Sequence, residues 1–264
     1  MGEPLPEADA PSPALLILNT LGVKPSLSKL HSVEKMSSVT NHPLYVKTTT
    51  NLERTAVRDK LMRLVQYFSR FLAYYMYRKG YKLDAINHVK NLQKSLSLAR
   101  KVMRVGKPLN NLRAIIAELG NKTADPVMHL TTLGKNIGTG VFLTLDTFIW
   151  LNAVGVRPLS DATAVGRLAN KAWLVSLVSA FVQASFIYYR AVAKEKALLQ
   201  ESTKDRAALE KIQQEKKGAT TLLVWHACDI VIPATSLGIF SFDEGFVGLA
   251  GTVSSFLGVR SVWK

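Results

Sequence analysis

The 264-residue chain contains a single cysteine, Cys228. One cysteine cannot form a disulfide within the chain, and it cannot supply a cysteine-based zinc cage. Only 20% of the residues are charged and 48% are hydrophobic, yet the net charge is +15. This composition argues against general disorder and predicts that the positive charge is concentrated in one part of the chain.

Sequence motifs of the common enzyme classes are also missing. The chain has no His-Glu-x-x-His, no Gly-x-Ser-x-Gly and no Walker-type phosphate loop, and His129 and His226 lack the spacing of metal ligands. We therefore expect no catalytic residues, no metal ion and no cofactor. No Lys or Arg precedes Lys24, which disfavours a secretory signal or a mitochondrial presequence.

Patterns typical of β-strands are weak throughout, because no sustained alternation of apolar and polar residues is bounded by turns. The predicted fold class is therefore all-α. Residues 1–50 contain six of the ten prolines and many Ser and Thr residues, which predicts a flexible N-terminal tail. The remainder, 51–264, is predicted to be a helical membrane domain with basic amphipathic helices at 51–113, hydrophobic helices at 131–189, a charged helix at 190–217 and a hydrophobic region at 218–264.

The positive charge lies in the N-terminal half. Fifteen Lys or Arg residues and only two acidic residues lie between Arg54 and Arg113, so this segment carries +13 of the net charge. Its first predicted helix covers 55–79 and ends at Gly80. The spacing places Arg63 on the side away from the apolar stripe of this helix.

The second predicted helix, from about Asp84 to Gly106, is the most regular amphipathic segment. Its apolar residues follow at intervals of three and four: Ala85, Val89, Leu92, Leu96, Ala99 and Met103. The opposite side carries five cations: Lys90, Lys94, Arg100, Lys101 and Arg104. At ~1 kcal/mol each near an anionic lipid surface, five cations contribute about 5 kcal/mol. Two interpretations stay open: a helix that lies among lipid headgroups and favours curvature, or a helix whose stripe packs inside a bundle.

Three apolar runs distinguish the C-terminal half: residues 136–155, 172–189 and 245–259. A spanning helix needs about 20 apolar residues, so 172–189 suffices and 245–259 is marginal. Asp146 and Asp229 would each cost roughly 2.5–3.5 kcal/mol at a membrane centre, which favours interfacial or packed positions for their segments. Core helices of a soluble bundle are the alternative. The runs also argue against a nucleic-acid partner, which a basic segment with several tyrosines would otherwise suggest.

Glycines recur at helical spacing in and beside these runs. They do not follow a β-strand, so close helix packing is a better interpretation than a nucleotide-binding loop. The glycines expected at helix contacts are Gly134, Gly138, Gly245, Gly248 and Gly251.

Four sequence blocks occur in order: RDKLMRLVQYFSRF at 58–71, ARKVMRVGK at 99–107, LDTFIWLNAVGV at 145–156 and GFVGLAGTVSSFLGV at 245–259. Together they resemble the peroxin-eleven family, whose members elongate and help divide peroxisomes. The resemblance implies an integral protein of the peroxisomal membrane that promotes peroxisome proliferation and fission, with both termini in the cytosol. We expect an anionic phospholipid membrane as partner because of the basic helix. The resemblance adds self-association into a homo-oligomer and dynamin-type fission machinery with its adaptors.

The resemblance also implies a role for the second helix, because an amphipathic helix before the Arg-Lys block is credited in that family with inserting into and tubulating the membrane. The matching positions are 84–107. We expect the six residues of the apolar stripe to enter the acyl boundary. The residues expected to meet lipid phosphates are Lys90, Lys94, Arg100, Lys101, Arg104 and Lys107.

A pore for small metabolites is the alternative function that the family implies.

The expected topology has crossings at 172–189 and 245–259. The charged helix at 190–217 would then face the lumen, opposite the two termini.

Overall fold

The computed structural model describes residues 42–121, 125–200 and 206–263. These residues contain eight α-helices and no β-strand, which confirms the all-α prediction. The helices are α1 (Pro43–Glu53), α2 (Thr55–Arg78), α3 (Leu83–Val102), α4 (Lys107–Leu119), α5 (Pro126–Ala153), α6 (Ala162–Gln200), α7 (Arg206–Ser236) and α8 (Glu244–Val262).

The predicted N-terminal tail lies mostly outside the described residues, which begin at position 42. Its last part differs from the prediction, because α1 begins at Pro43, where His42 accepts a hydrogen bond from the backbone N–H of Leu44. Proline at the first helical position and a capping side chain together favour a helix start. The chain divides at Arg54 into two units, one with α1 and the other the helical bundle Thr55–Trp263.

Acidic caps fix two helix starts in the bundle. The Asp125 side chain accepts a hydrogen bond from the backbone N–H of Val127 at 3.0 Å, and Pro126 is the first residue of α5. Asp243 likewise accepts from the N–H of Phe246 at 2.7 Å at the start of α8. These carboxylates satisfy amide groups that have no acceptor within the helix.

The second predicted helix is shorter than the apolar pattern indicated. α3 ends at Val102, and a turn follows as far as Gly106. Gly106 has φ +83°, a left-handed conformation that favours glycine, and it immediately precedes α4. The predicted helix from Asp84 to Gly106 therefore ends one turn early, and a separate helix begins at Lys107.

Six helices of the bundle pack in a closed ring. α2 packs against α3, α3 against α5, α5 against α6, α6 against α7, α7 against α8, and α8 against α2. α4 packs against α5. The name ring is used below for these six helices.

The ring has charged residues inside and apolar residues outside. On α2, Asp59 and Arg63 are 5% and 6% exposed, whereas Phe68 and Tyr75 are 50% and 47% exposed. Arg63, expected on the side away from the helix contacts, therefore points into the ring. Polar residues that pair inside a bundle and an apolar outer surface are typical of a protein surrounded by lipid.

Two of the described helices, α6 and α8, are long and apolar enough to cross a membrane. They contain the predicted runs at 172–189 and 245–259. Only 22% of the apolar window in α6 is buried within the bundle, so most of it lies on the outer surface. The run at 136–155 belongs to α5, which contains the charged Asp146 and is not among the candidate spans.

The segment 190–217, predicted as one helix, is an antiparallel pair of helices, which we call the charged hairpin. α6 ends at Gln200, and α7 begins at Arg206 and runs back alongside it. Adjacent charged residues near the end of α6 pair with adjacent charged residues of α7. The ion pairs are Lys194 with Glu215 at 3.2 Å and Glu195 with Lys216 at 2.7 Å.

The first and last residues of the bundle, Thr55 and Trp263, lie on the same side of the ring as the charged hairpin. Lys60 of α2 and Trp225 of α7 both lie beside Gly258, near the end of α8, whereas Tyr74 lies beside Gly245 at its start. Both α2 and α7 are therefore antiparallel to α8. The prediction placed the charged segment opposite the termini, whereas in the bundle α7 returns the chain between the two candidate spans and the hairpin lies at the end where the bundle begins and ends.

Candidate functional site

A cavity of about 560 Å³ lies inside the ring, with walls mainly from α2, α3, α5, α6 and α7. This volume lies within the roughly 300–1,000 Å³ typical of ligand sites. Its lining combines apolar side chains with ten charged ones, namely seven cations and three carboxylates. The three carboxylates, Asp59, Asp146 and Asp229, come from three different helices and organise the cations around them.

Asp229 of α7 binds Arg63 of α2 in a two-pronged ion pair. The Arg63 Nη2 donates to Asp229 Oδ1 at 2.6 Å, and Nη1 donates to Oδ2 at 3.3 Å. Trp225 Nε1 also donates to Oδ2, at 3.1 Å. Both charged side chains are buried, so each stabilises the other against the loss of water.

Asp59 of α2 holds the end of α3 and the start of α4. Arg100 Nε donates to its Oδ1 at 3.1 Å, and Lys107 Nζ lies 3.5 Å from its Oδ2. Burial by itself would raise the pKa of Asp59, but Arg100, Lys107 and other nearby cations lower it below its usual value. The carboxylate is therefore ionised, and it turns two cations of the basic segment inward.

Asp146 of α5 turns two further cations inward. Arg104 Nη2 lies 2.8 Å from its Oδ2, and Lys101 forms an ion pair with its Oδ1. Asp146 disfavours α5 as a lone membrane span, and Lys101 and Arg104 of the basic segment neutralise its charge.

The six predicted lipid-phosphate residues divide into two groups. Lys90 and Lys94 are exposed on α3. The structure turns the other four toward the cavity, because Asp59 and Asp146 are buried and need positive partners. These four are Arg100, Lys101, Arg104 and Lys107.

The predicted membrane-inserting face is also divided. Leu92 is 47% exposed, whereas the remaining five residues are partly buried: Ala85, Val89, Leu96, Ala99 and Met103. Ile86, which the apolar stripe did not include, is the residue of α3 that is buried among apolar neighbours. The stripe therefore contributes to helix packing as well as to the outer surface.

α4 presents an apolar face that the sequence reasoning missed. Leu109 is 70% exposed, and Leu112, Ile116 and Leu119 are 53–63% exposed. The signal was present in their spacing of three, four and three, which places them on one side of a helix. The predicted amphipathic helix ends at Gly106, so this face lies beyond it.

The five predicted packing glycines lie at close helix contacts. A Cβ on Gly138 of α5 would lie 2.6 Å from the backbone oxygen of Ala172, and one on Gly248 of α8 would lie 2.5 Å from the backbone nitrogen of Phe71. Gly134 faces Ser179 of α6. The other two, Gly245 and Gly251, face Tyr74 and Tyr67 of α2. These contacts bring α5 to α6 and α8 to α2 more closely than larger side chains would permit.

The described ranges contain no group of three or more His, Cys, Asp or Glu residues placed to hold a metal ion. The arrangement of charges instead forms ion pairs and a basic cavity.

A family model for peroxisomal biogenesis factor 11 matches residues 45–263, which include nearly all of the described chain. The chain belongs to the peroxisomal biogenesis factor 11 family. No solved structure matches it.

Family relatives match over most of their length. The chain is 33% identical to peroxisomal membrane protein PMP27 of Saccharomyces cerevisiae over 84% of this chain and 96% of the relative. It is 26% identical to peroxisomal biogenesis factor 11 of Schizosaccharomyces pombe, over 86% and 98%. It is 28% identical to peroxisomal membrane protein 11A of Homo sapiens, over 79% and 92%. These names describe biogenesis and membrane proteins rather than enzymes.

Proposed function

We propose that this chain is an integral protein of the peroxisomal membrane that elongates the membrane and promotes peroxisome proliferation and fission. α6 and α8 would anchor the ring in the bilayer. The outer faces of α3 and α4 would insert among the headgroups of one leaflet and favour curvature. Family membership supports the organelle, and the apolar outer surface of the ring supports the membrane.

The observation that carries the remodelling proposal is the combination on the outer surface of α3 and α4. Leu92 is exposed on the same helix as the exposed cations Lys90 and Lys94. α4 adds the exposed face that begins at Leu109 and ends at Leu119. Apolar side chains that enter the acyl boundary beside cations that meet phosphates are typical of interfacial helices.

The topology proposed here follows from the antiparallel ring. The start of α2, the end of α8 and the charged hairpin would all face the cytosol. Protease protection of tags inserted between α6 and α7 and at the C-terminus measures this arrangement. Equal accessibility of the two tags in intact peroxisomes supports it, and protection of the tag between α6 and α7 alone contradicts it.

The remodelling experiment uses the full-length protein reconstituted into anionic and neutral liposomes, examined by electron microscopy. We expect tubules on anionic vesicles. The double variant Leu92→Glu with Leu112→Glu should lose them. Both leucines are exposed in the protein, and each would contribute roughly 1.5–3 kcal/mol to membrane binding when it is buried in the acyl boundary.

Two control variants separate insertion from other effects. Leu92→Met keeps the apolar character and should leave tubulation intact. Gln213→Glu adds a carboxylate at an exposed position of the charged hairpin and should also leave it intact. Undiminished tubulation by the double glutamate variant would contradict insertion through α3 and α4.

A pore for small solutes is a second candidate, which the polar cavity inside the ring favours. Asp146 and Asp229 line this cavity together with the inward cations of α2 and α3. Conductance of the reconstituted full-length protein in planar bilayers, carried out beside the tubulation assay, distinguishes the two functions.

The proposed partners follow from the same model. Anionic lipid would bind the outer cations, and copies of the chain would associate into a homo-oligomer on the curved membrane. Dynamin-type fission machinery with its adaptors would act on the tubules. Co-purification of two differently tagged copies from peroxisomal membranes tests the self-association.

A further inference from the structure

The cavity inside the ring carries more positive than negative charge. Counted over the described residues, seven cations and three carboxylates line it. One of the seven, Arg70, is paired with Glu244 at 2.6 Å. Three positive charges therefore remain without a carboxylate of their own in this part of the chain.

The three carboxylates of the cavity are each shared by more than one cation. Arg100 and Lys107 lie 3.1 and 3.5 Å from the Asp59 oxygens. Lys101 and Arg104 both pair with Asp146. Lys60 interacts electrostatically with Asp229 and with Asp59, each of which already has a closer cation.

Two of these cations are held in an unfavourable environment. Burial, together with the repulsion of Arg63, lowers the pKa of Lys60 to about 8. Burial and the neighbouring Arg104 lower the pKa of Arg100 to about 10. Since buried charges are stable only when they are paired, a negatively charged ligand would stabilise this cluster.

We propose that Lys60, Arg100, Arg104 and Lys107 bind the phosphate group of a multiply charged anion inside the ring. Guanidinium and ammonium groups bind phosphate oxygens through strong charge-assisted hydrogen bonds. The cavity, at about 560 Å³, has room for more than the phosphate alone. A soluble phosphate compound and a phosphorylated lipid headgroup both present this chemistry. The proposal goes beyond membrane remodelling, which uses the outer cations Lys90 and Lys94.

The test measures thermal unfolding of the full-length protein in a non-ionic detergent. One arm adds pyrophosphate, with sodium chloride of equal ionic strength as reference. The other adds phosphatidylinositol 4-phosphate to the micelles, with phosphatidylinositol as reference. A ligand at a hundredfold excess over its Kd should raise the Tm by about 5–10 °C.

The two arms identify the source of the phosphate. A shift with pyrophosphate supports a soluble ligand, and a shift only with the phosphorylated lipid supports a headgroup. No shift in either arm overturns the proposal. The measurement needs no bilayer, so its failure is separate from a failure of tubulation or conductance.

Two cavity variants and one matched control connect the shift to the cluster. Lys60→Met leaves Asp59 paired with Arg100, and Arg104→Gln leaves Asp146 paired with Lys101. Each should bind the phosphate probe at least about tenfold more weakly, since a charge-assisted hydrogen bond is lost. Lys171→Gln removes the same charge from an exposed site of α6 outside the cavity and should bind normally.

Stability without ligand supplies a second readout. Lys60→Met removes a partly buried charge that Arg63 repels, so the ligand-free variant should unfold at the same Tm as the parent or higher while losing the phosphate shift. Equal weakening of binding by Lys60→Met and Lys171→Gln would show a non-specific ionic effect and overturn the proposal.

Discussion

The middle and the end of α3 carry the same kind of residue in opposite environments. Lys90 and Lys94 in the middle of the helix are exposed, whereas Arg100 at its end is buried against Asp59. Lys101 then pairs with Asp146. A regular amphipathic pattern thus supplies both an outer surface for lipid and an inner wall for the cavity. The difference shows that cations on a helix indicate a negatively charged partner, but not whether that partner is lipid or a carboxylate of the same protein.

The largest expected effect comes from breaking an inner pair. Asp229→Ala should lower the free energy of unfolding by about 3–5 kcal/mol, because it leaves the buried Arg63 guanidinium without its carboxylate. Thermal unfolding in detergent measures this loss. The control is Asp84→Ala, which removes an exposed carboxylate from α3 and should change stability by less than about 1 kcal/mol. Similar losses for the two variants would contradict the assignment of Asp229 to the inside of the ring and of Asp84 to its outer surface.

The close contact between α2 and α8, which closes the ring and is called the seam here, should give the next largest effect on stability. Gly248→Ala places a Cβ 2.5 Å from the backbone nitrogen of Phe71, and the strain should lower the free energy of unfolding by roughly 1–3 kcal/mol. Gly218→Ala lies inside α7 with nothing within 4 Å, so it should raise stability by up to about 1 kcal/mol. Unfolding midpoints of the two variants that move in the same direction would argue against a tight seam between α2 and α8.

Removing the outer cations should affect the membrane rather than the fold. Lys90→Gln with Lys94→Gln should weaken association of α3 with anionic lipid by about 2 kcal/mol, or about thirtyfold, and salt should reduce the difference. Tubulation by the reconstituted variant would then need a larger fraction of anionic lipid. Unfolding in detergent should stay unchanged, and a lower midpoint there would place these lysines in the inner network.

The smallest effect is expected in the charged hairpin. Lys194 and Glu215 form a pair at 3.2 Å with both side chains well exposed, so Lys194→Gln should change stability by about 0.2–1 kcal/mol. Unfolding at low and high salt measures the difference, which should vanish as salt screens the pair. A loss comparable with that of Asp229→Ala would mean that this pair is shielded from water.

Much of the helical architecture is accessible from the sequence. The spacing of apolar residues predicts α2 and α3, and the charge-free run at 172–189 predicts the long apolar part of α6. The predicted end of α3 lies too far along the chain. Met103 follows Ala99 by four residues, so the apolar spacing continues into the turn although the helix has ended. The charged hairpin differs from the predicted single helix because a run of Lys and Glu residues does not show where one helix ends and the next begins.

The direction of the cations required the tertiary structure. Helical periodicity shows which residues share a face, but not whether that face meets lipid or another helix. Arg100 and Lys101 turn inward because Asp59 and Asp146, far away in sequence, become buried beside them. A sequence pattern contains no information on which distant carboxylate will lie opposite.

The sequence by itself determined the helical class, the concentration of positive charge, the apolar runs and the family. These are local properties, since they depend on composition, on spacing within a helix and on ordered blocks. Only the tertiary structure decided that α2 and α8 close a ring, that the charged hairpin shares an end with both ends of the bundle, and that a basic cavity lies inside. Those properties depend on long-range contacts, in which buried charges must find partners and glycines permit the helices to approach.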